Sequence, residues 1–178
     1  MNFTKQSTLN TNKSFHQGFS LLESIVSIGL LAMALSGILS LSSMGVRSAV
    51  RISNQVTAFF LASEAVEYIR NVRDSNVLAG NSWLDGLADC QAVNGCYVDA
   101  VNAAITPCAA ACPEIKFDSS NNLFNYSSGN ETIFSRQVLI TEVEPSREIK
   151  LDVNISWPQG NGTQSFTLEE HLLNLSFE

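Results

Sequence analysis

The sequence predicts an α+β fold in which one long N-terminal helix precedes an antiparallel sheet, and three patterns support this prediction. Residues 24–46 carry no charged side chain and are predominantly apolar. Residues 47–75 place apolar side chains at steps of three and four, the spacing of one helix face. Residues 148–157 alternate between apolar and polar side chains, as in a strand with one buried face. The amphipathic half of the helix is therefore expected to pack on the sheet.

The composition excludes several classes of protein. With 45% apolar residues, the 178-residue chain is too hydrophobic to be intrinsically disordered. The net charge is −7 and the ten basic residues are scattered, which argues against nucleic acid as a partner. The two histidines, His16 and His171, lie at opposite ends of the sequence, and no catalytic motif accompanies them. We therefore expect no enzymatic activity, no bound metal and no cofactor.

The uncharged run 24–46 is 23 residues long, which is enough to cross a hydrocarbon core about 30 Å thick. A polar segment, residues 1–18, precedes it and contains Lys5 and Lys13 but no acidic residue. A secretory signal peptide usually has a shorter apolar core, of about 7–15 residues, and an Ala-x-Ala cleavage site, which is not evident here. A single transmembrane helix with its basic flank in the cytoplasm fits the pattern better.

The helix should continue past the apolar run, because residues 47–75 contain neither proline nor glycine. Asparagine and glycine occur together between Asn76 and Gly80, and this predicts the end of the helix there. The apolar positions of the amphipathic half are predicted to face the sheet: Ile52, Val56, Phe59, Ala62, Val66, Ile69 and Val72.

Residues 76–131 show no clear period and are predicted to form an irregular loop region that contains all four cysteines: Cys90, Cys96, Cys108 and Cys112. The cysteines lack the Cys-x-x-Cys spacing of a zinc knuckle, so two disulfides in an oxidising compartment are favoured over a zinc site. Three pairings are possible. The local one, Cys90–Cys96 with Cys108–Cys112, is favoured, and the other two stay open.

Three strands are predicted within residues 132–178, and short turns join them into an antiparallel meander. The middle strand is predicted to point its apolar side chains inward: Ile149, Leu151, Val153, Ile155 and Trp157. The third strand changes its apolar phase from Phe166 and Leu168 to Leu173, Leu175 and Phe177. This change predicts a bulge between Glu169 and Leu172. Trp83 and Trp157 are expected in the core, and His171 is expected to be an exposed strand residue.

The junction between the polar segment and the apolar run reads Gly18-Phe19-Ser20-Leu21-Leu22-Glu23. This motif resembles the processing site of type IV prepilins and of the pseudopilins of type II secretion, and residues 24–26 and beyond look most like a minor pilin of the pilus-modification kind. In this family a membrane aspartic protease cleaves after the glycine, here Gly18. The new N-terminal phenylalanine, here Phe19, is N-methylated, and a glutamate four residues later, here Glu23, is the hallmark. Unlike many pilins, residues 24–46 contain no proline.

The resemblance implies a pilin-like fold and a division of the chain into five segments. Residues 1–18 would be the leader peptide, 19–46 the membrane and filament-core half of the helix, 47–75 its amphipathic half, 76–131 the cysteine-containing loop region and 132–178 the β-meander.

A carboxylate at the edge of a membrane is costly unless a positive partner is present. Cleavage after Gly18 would create such a partner, the α-amino group of Phe19, in the same chain or in a neighbouring subunit. In a bundle of packed helices the second pairing would set the axial register, so Glu23 is predicted to be an assembly residue.

Small residues at Ala32, Ser36 and Ser40 form an i, i+4 ridge along the predicted apolar half. Such a ridge lets helix backbones approach closely in a membrane or in a filament core. Alternatively, serine and glycine only lower the hydrophobicity of the segment, so that it can leave the bilayer.

These features together predict a minor pilin, a structural subunit that acts in the assembly or modification of a type IV pilus. Its expected partners are the bilayer before assembly, the prepilin peptidase and methyltransferase, other pilin subunits and the pilus assembly platform. The precursor would lie in the cytoplasmic membrane with its leader in the cytoplasm, and the mature subunit in a cell-surface pilus. A pseudopilin of type II secretion is an alternative. A single-span membrane-anchored extracytoplasmic binding module would explain the span and the cysteines, but not Gly18 and Glu23.

Overall fold

The computed structural model describes residues 18–174, which form one long helix, one short 3-10 helix and seven strands. Helix α1 extends over Leu21–Leu78, and the 3-10 helix over Ala88–Gln91. The strands are β1 (Cys96–Asp99), β2 (Ala104–Pro107), β3 (Glu114–Asp118), β4 (Leu123–Asn125), β5 (Asn130–Glu144), β6 (Glu148–Gln159) and β7 (Gly162–Leu173). The chain divides into two compact units, one ending at Arg47 and the other beginning at Ser48.

In the first unit, the described residues form the N-terminal part of α1. Their apolar stretch is long and apolar enough to cross a membrane, as predicted, and none of it is buried. The hydroxyl of Ser36 donates to the carbonyl of Met33 at 2.8 Å, and that of Ser43 donates to the carbonyl of Ser40 at 2.9 Å. These hydroxyls therefore need no water to satisfy them, which suits an apolar environment.

In the second unit, α1 ends in the region that the sequence predicts. The N–H of Gly80 donates to the carbonyl of Val77, and the N–H of Asn81 donates to the carbonyl of Asn76. This pair of bonds is a Schellman cap. Such a cap needs one residue in the left-handed backbone conformation. Gly80 adopts this conformation, with φ 71°, because glycine has no Cβ that would clash with the backbone.

The sheet is antiparallel throughout and is built around β5. One edge of β5 pairs with β6 over most of its length, and β6 in turn pairs with β7. The other edge is shared, because β3 pairs near the start of β5 and β1 contacts it at Val138. The shorter strands β2 and β4 extend the sheet beyond β1 and β3.

The core lies between the second part of α1 and one face of this sheet. All five residues that β6 was predicted to point inward, including Trp157, are buried, and so is Trp83. The helix contributes Ala58, Ala62 and Ala65, whose exposed fraction is 0%, together with larger apolar residues. These three alanines lie on successive turns of the same buried helix face. Each fully buried Leu, Ile or Val side chain stabilises the fold by about 1.5–3 kcal/mol.

The buried face of α1 begins later in the chain than the sequence predicts. Ile52, Val56 and Phe59 were expected to face the sheet, yet about half of each remains exposed. The sheet buries the helix only from Ala58 onward. The apolar face therefore continues beyond the surface that the sheet can cover.

The prediction of an irregular region over residues 76–131 is wrong. This segment contains the 3-10 helix and the four strands β1 to β4, so the sheet has seven strands rather than three. These four strands are only three to five residues long, too short to show a period of two in the sequence. Their pairing depends on β5, which is distant in sequence.

The predicted bulge between Glu169 and Leu172 is absent, because the pairing of β6 with β7 runs without a shift from Glu148–Leu173 to Gln159–Gly162. The apolar phase changes for another reason. Glu170 occupies a position on the helix-facing side and forms an ion pair there with Arg70 of α1. Leu172 follows on the same face and is buried, whereas Leu175 and Phe177 lie outside the described residues.

We predict that Gly129→Ala destabilises the second unit by at least about 2 kcal/mol. Gly129 has φ 98°, and a Cβ there would lie 2.3 Å from the carbonyl oxygen of Phe117. Gly162→Ala is the matched control, because its Cβ would meet no atom within 4 Å. Urea unfolding followed by tryptophan fluorescence measures both variants, since Trp83 and Trp157 lie in this unit. Equal stability of the two variants would contradict the prediction.

Candidate processing and assembly site

The helix begins within the motif, at Leu21, and Ser20 is its N-cap. The Ser20 Oγ accepts a hydrogen bond from the N–H of Glu23 at 3.4 Å, and the Ser20 carbonyl accepts one from the N–H of Ser24 at 3.1 Å. Ser20 and Glu23 therefore have the spacing of a capping box, in which a serine and a glutamate three residues later satisfy the first turn. This capping role was absent from the predictions, although the Ser-x-x-Glu spacing indicates it.

The peptide bond predicted to be cleaved is accessible. Gly18 and Phe19 lie outside regular structure immediately before α1, both are exposed, and no atom approaches the position of a Cβ on Gly18 within 4 Å. A peptidase can therefore reach this bond without unfolding the helix. While the bond is intact, the Phe19 nitrogen is an uncharged amide, and only cleavage makes it an amine.

Glu23 is exposed in the first turn of α1, where the helix dipole favours a negative charge. No ion pair involving Glu23 occurs among residues 18–174. The carboxylate is thus available to a positive partner that residues 18–174 do not supply.

The N-terminal part of α1 exposes an apolar surface that no other part of residues 18–174 covers. Every leucine, isoleucine, valine and methionine between Leu21 and Val46 is at least 51% exposed. Soluble monomers rarely expose so large an apolar surface, so it marks contact with lipid or with other proteins. The predicted ridge of Ala32, Ser36 and Ser40 lies exposed on successive turns of this surface.

The second unit has a smaller exposed apolar surface of its own. Phe60 is 65% exposed, and Phe59 packs edge-on against Phe166 of β7 at 6.0 Å between ring centroids. Ile52, Val56, Phe59, Phe60 and Phe166 line one groove there.

The four cysteines form two local disulfides, Cys90–Cys96 and Cys108–Cys112. The first joins the 3-10 helix to the start of β1, and the second closes the short loop between β2 and β3. Because all four thiols are used, none of them can bind zinc. The described residues contain no cluster of three His, Cys, Asp or Glu that could hold a metal ion. His171 is an exposed strand residue beside Glu148.

A second candidate site surrounds Arg136, whose exposed fraction is 1%. One terminal nitrogen of its guanidinium donates to the Glu64 carboxylate at 2.7 Å and to the Leu61 carbonyl at 2.9 Å, and the other donates to the Val98 carbonyl. One side chain on β5 therefore holds both α1 and β1.

Two ionisable side chains near Arg136, Tyr126 and Asp99, have shifted pKa values. The guanidinium lies 5.8 Å from the ring centre of Tyr126, and burial raises the pKa of this tyrosine to about 12 in spite of the nearby positive charge. Burial alone would also raise the pKa of Asp99, but hydrogen bonds from Asn102 and from the Tyr126 N–H hold it below its usual value. Tyr126 thus stays neutral and Asp99 stays ionised near pH 7, and the cluster serves packing.

Two other arginines, both on α1, also connect the helix to the sheet. Arg70 pairs with Glu67 and with Glu170 of β7, and Arg73 donates to the Leu173 carbonyl at 2.7 Å. Arg70, Arg73 and Arg136 together form what we call the helix clamp. The alternation along β5 places Arg136 between Phe134 and Val138 on the buried face, a signal that the sequence contained.

Comparisons with protein-family models, with curated proteins and with solved structures find no match to this chain. A functional assignment therefore depends on the motif at residues 18–23 and on the uncovered surface of α1. The two features adjoin in sequence, because the motif ends in the first turn of the helix that exposes the apolar surface.

We predict that Arg136→Met lowers the free energy of unfolding by about 3 kcal/mol, because it leaves buried carbonyls and Glu64 without their partner. Arg147→Met is the control, since that arginine is 77% exposed in its pair with Glu144. We expect the control to change stability by less than about 0.5 kcal/mol. Tryptophan fluorescence during urea unfolding distinguishes the two variants, and a stable Arg136→Met protein would rule out the clamp.

Proposed function

We propose that this chain is a minor pilin that is made as a membrane-held precursor, cleaved between Gly18 and Phe19, N-methylated at Phe19 and built into a type IV pilus. The observation that carries the proposal is the placement of the Gly18–Glu23 motif. Its scissile bond is exposed just before a helix whose apolar side chains from Leu21 to Val46 are all exposed within the described part of the chain. A membrane holds such a helix before assembly, and neighbouring helices replace the lipid afterwards.

Cleavage changes the electrostatics of the helix N-terminus. The Phe19 nitrogen becomes a positive amine about one helical turn from the Glu23 carboxylate. In an apolar bundle an ion pair is strong when it forms and costly when it is left unmade. Pairing of Glu23 with the Phe19 amine of a neighbouring subunit would therefore favour one axial register over all others.

The remaining elements support a subunit that displays a folded domain. The helix clamp and the alanine contacts fasten the second part of α1 to the sheet, so a force on the helix is transmitted to the domain through many bonds. Two disulfides fit an oxidising location outside the cytoplasm. The partners in this proposal are the prepilin peptidase and methyltransferase, other pilin subunits and the assembly platform.

We predict that the mature chain begins at Phe19 with one added methyl group and occurs in filaments. Mass spectrometry of the N-terminal peptide, on sheared surface material and on membranes separately, measures this. Gly18→Val is the matched variant, because no neighbouring atom constrains the side chain and only peptidase recognition should suffer.

An uncleaved N-terminus found only in membranes would contradict the proposal and would favour an anchored binding module. A Phe19 start that is confined to membranes would instead favour a pseudopilin of type II secretion.

We further predict that Glu23→Gln and Glu23→Ala are both processed but enter filaments at least about tenfold less than the wild type. Glutamine can still complete the capping box, whereas alanine cannot, so the pair separates charge from capping. A tenfold loss corresponds to about 1.4 kcal/mol, a small part of a desolvated ion pair. Immunoblots of sheared filaments, normalised to processed protein in membranes, give the ratio.

Normal incorporation of Glu23→Gln, with loss only in Glu23→Ala, would assign Glu23 to helix capping and would remove the register argument. Normal incorporation of both variants would remove the assembly role altogether.

A further inference from the structure

The sheet face opposite α1 carries a block of six neutral polar side chains. They form two rows across three strands, in which each residue lies opposite its partner in the register. We call these residues the neutral block: Ser135, Ser156 and Ser165 in one row, and Gln137, Asn154 and Thr167 in the other.

The loop closed by the Cys108–Cys112 disulfide stands beside this block. Loop and strands together enclose an open cavity of about 220 Å³. Ala110 and Ala111 form its wall, and its floor is made by four residues of the neutral block, Ser135, Gln137, Asn154 and Ser156.

Three of the four floor residues, Ser135, Gln137 and Asn154, are held in place by hydrogen bonds within the protein. The Ser135 hydroxyl donates to the Cys112 carbonyl at 2.9 Å, and the Gln137 amide donates to the Asn94 carbonyl at 2.9 Å. The Asn154 amide donates to the Thr167 hydroxyl at 2.8 Å. The side-chain amides of Gln137 and Asn154 each retain a carbonyl oxygen and a second N–H that can bind a ligand. The cavity therefore presents acceptors and donors in fixed positions.

The chemistry of the lining limits what can bind. None of the lining residues is charged, so an ion would be left without compensation. Two carboxylates on this face adjoin the block without lining the cavity: Glu114 of β3 lies opposite Ser135 in the register, and Asp152 of the next row is paired with Lys150 at 2.8 Å. The lining contains no aromatic or large aliphatic side chain, so an apolar ligand would gain little.

We propose that this cavity binds a small neutral hydroxyl-rich ligand, a single saccharide ring. Fixed amide and hydroxyl groups suit the alternating hydroxyls of a sugar, each of which donates and accepts a hydrogen bond. The site is open and polar, so binding is weak, with a Kd of the order of 1–10 mM.

The test is a titration of the full chain with glucose, galactose, mannose and N-acetylglucosamine. The chain is kept in dodecylphosphocholine micelles, because detergents with sugar head groups would compete. The side-chain amide signals of Gln137 and Asn154 in ¹H–¹⁵N spectra report binding directly. At least one sugar is expected to give a saturable shift of these signals below about 50 mM.

Asn154→Ala is expected to weaken that binding about tenfold, because it removes an acceptor and a donor of the floor. Ser156→Val provides an independent variant, and Thr141→Ala, on the same face of β5 but outside the block, is the control that should bind normally. Spectra of each variant without sugar establish that it is folded.

Three results would overturn the proposal: no shift with any of the four sugars up to about 100 mM, unchanged affinity in both floor variants, or equal loss in Thr141→Ala. Shifts of the Gln137 and Asn154 amides that depend on protein concentration without sugar would also overturn it, and would assign the block to contact between copies. The titration does not depend on cleavage at Gly18, so its outcome is separate from that of the pilin proposal.

Discussion

The structure depends on one constraint: α1 carries far more apolar surface than the described residues, 18–174, bury. The sheet covers the helix only from Ala58 onward, and the apolar side chains from Leu21 to Val46 remain exposed. At about 25 cal/mol per Å² of apolar surface, leaving such a helix in water is prohibitive. The chain therefore needs a second apolar environment, and lipid or neighbouring helices can each supply it. The serine hydroxyls bonded within the helix remove a cost that either environment would otherwise impose.

The same constraint explains how the domain is attached. A helix whose apolar face is only partly covered gains less from the hydrophobic effect at the edge of the sheet, where Phe59 and Phe60 stay exposed. Hydrogen bonds and ion pairs between the helix and the sheet compensate for this smaller hydrophobic contribution. Arg136 reaches from β5 to two carbonyls and a carboxylate, and its burial makes each of those bonds expensive to break.

Sequence reasoning predicted those parts of the structure whose signals are long and local. The helix spans 58 residues and β6 spans 12, so their periods were legible. The local pairing of the cysteines was favoured and is observed. The short strands β1 to β4 were missed because their pairing with β5 is non-local. The change in the apolar pattern of β7 was wrongly interpreted as a bulge. Its cause is Glu170, which occupies a helix-facing position where it pairs with Arg70, a residue 100 positions away in sequence. Such a tertiary override leaves no local pattern.

At the N-terminus, the short motif was recognised, but the capping role of Ser20 was missed, although the Ser-x-x-Glu spacing indicates it. Ser20 and Glu23 start the helix through a capping interaction that the uncleaved chain already makes. In the proposed function, cleavage at Gly18 then adds a positive amine about one helical turn from the Glu23 carboxylate. The capping bond uses the backbone N–H of Glu23 and not its carboxylate, so the side chain stays available for that amine. The helix dipole favours a negative charge in the same turn, so the local and the assembly roles of this residue are complementary rather than competing.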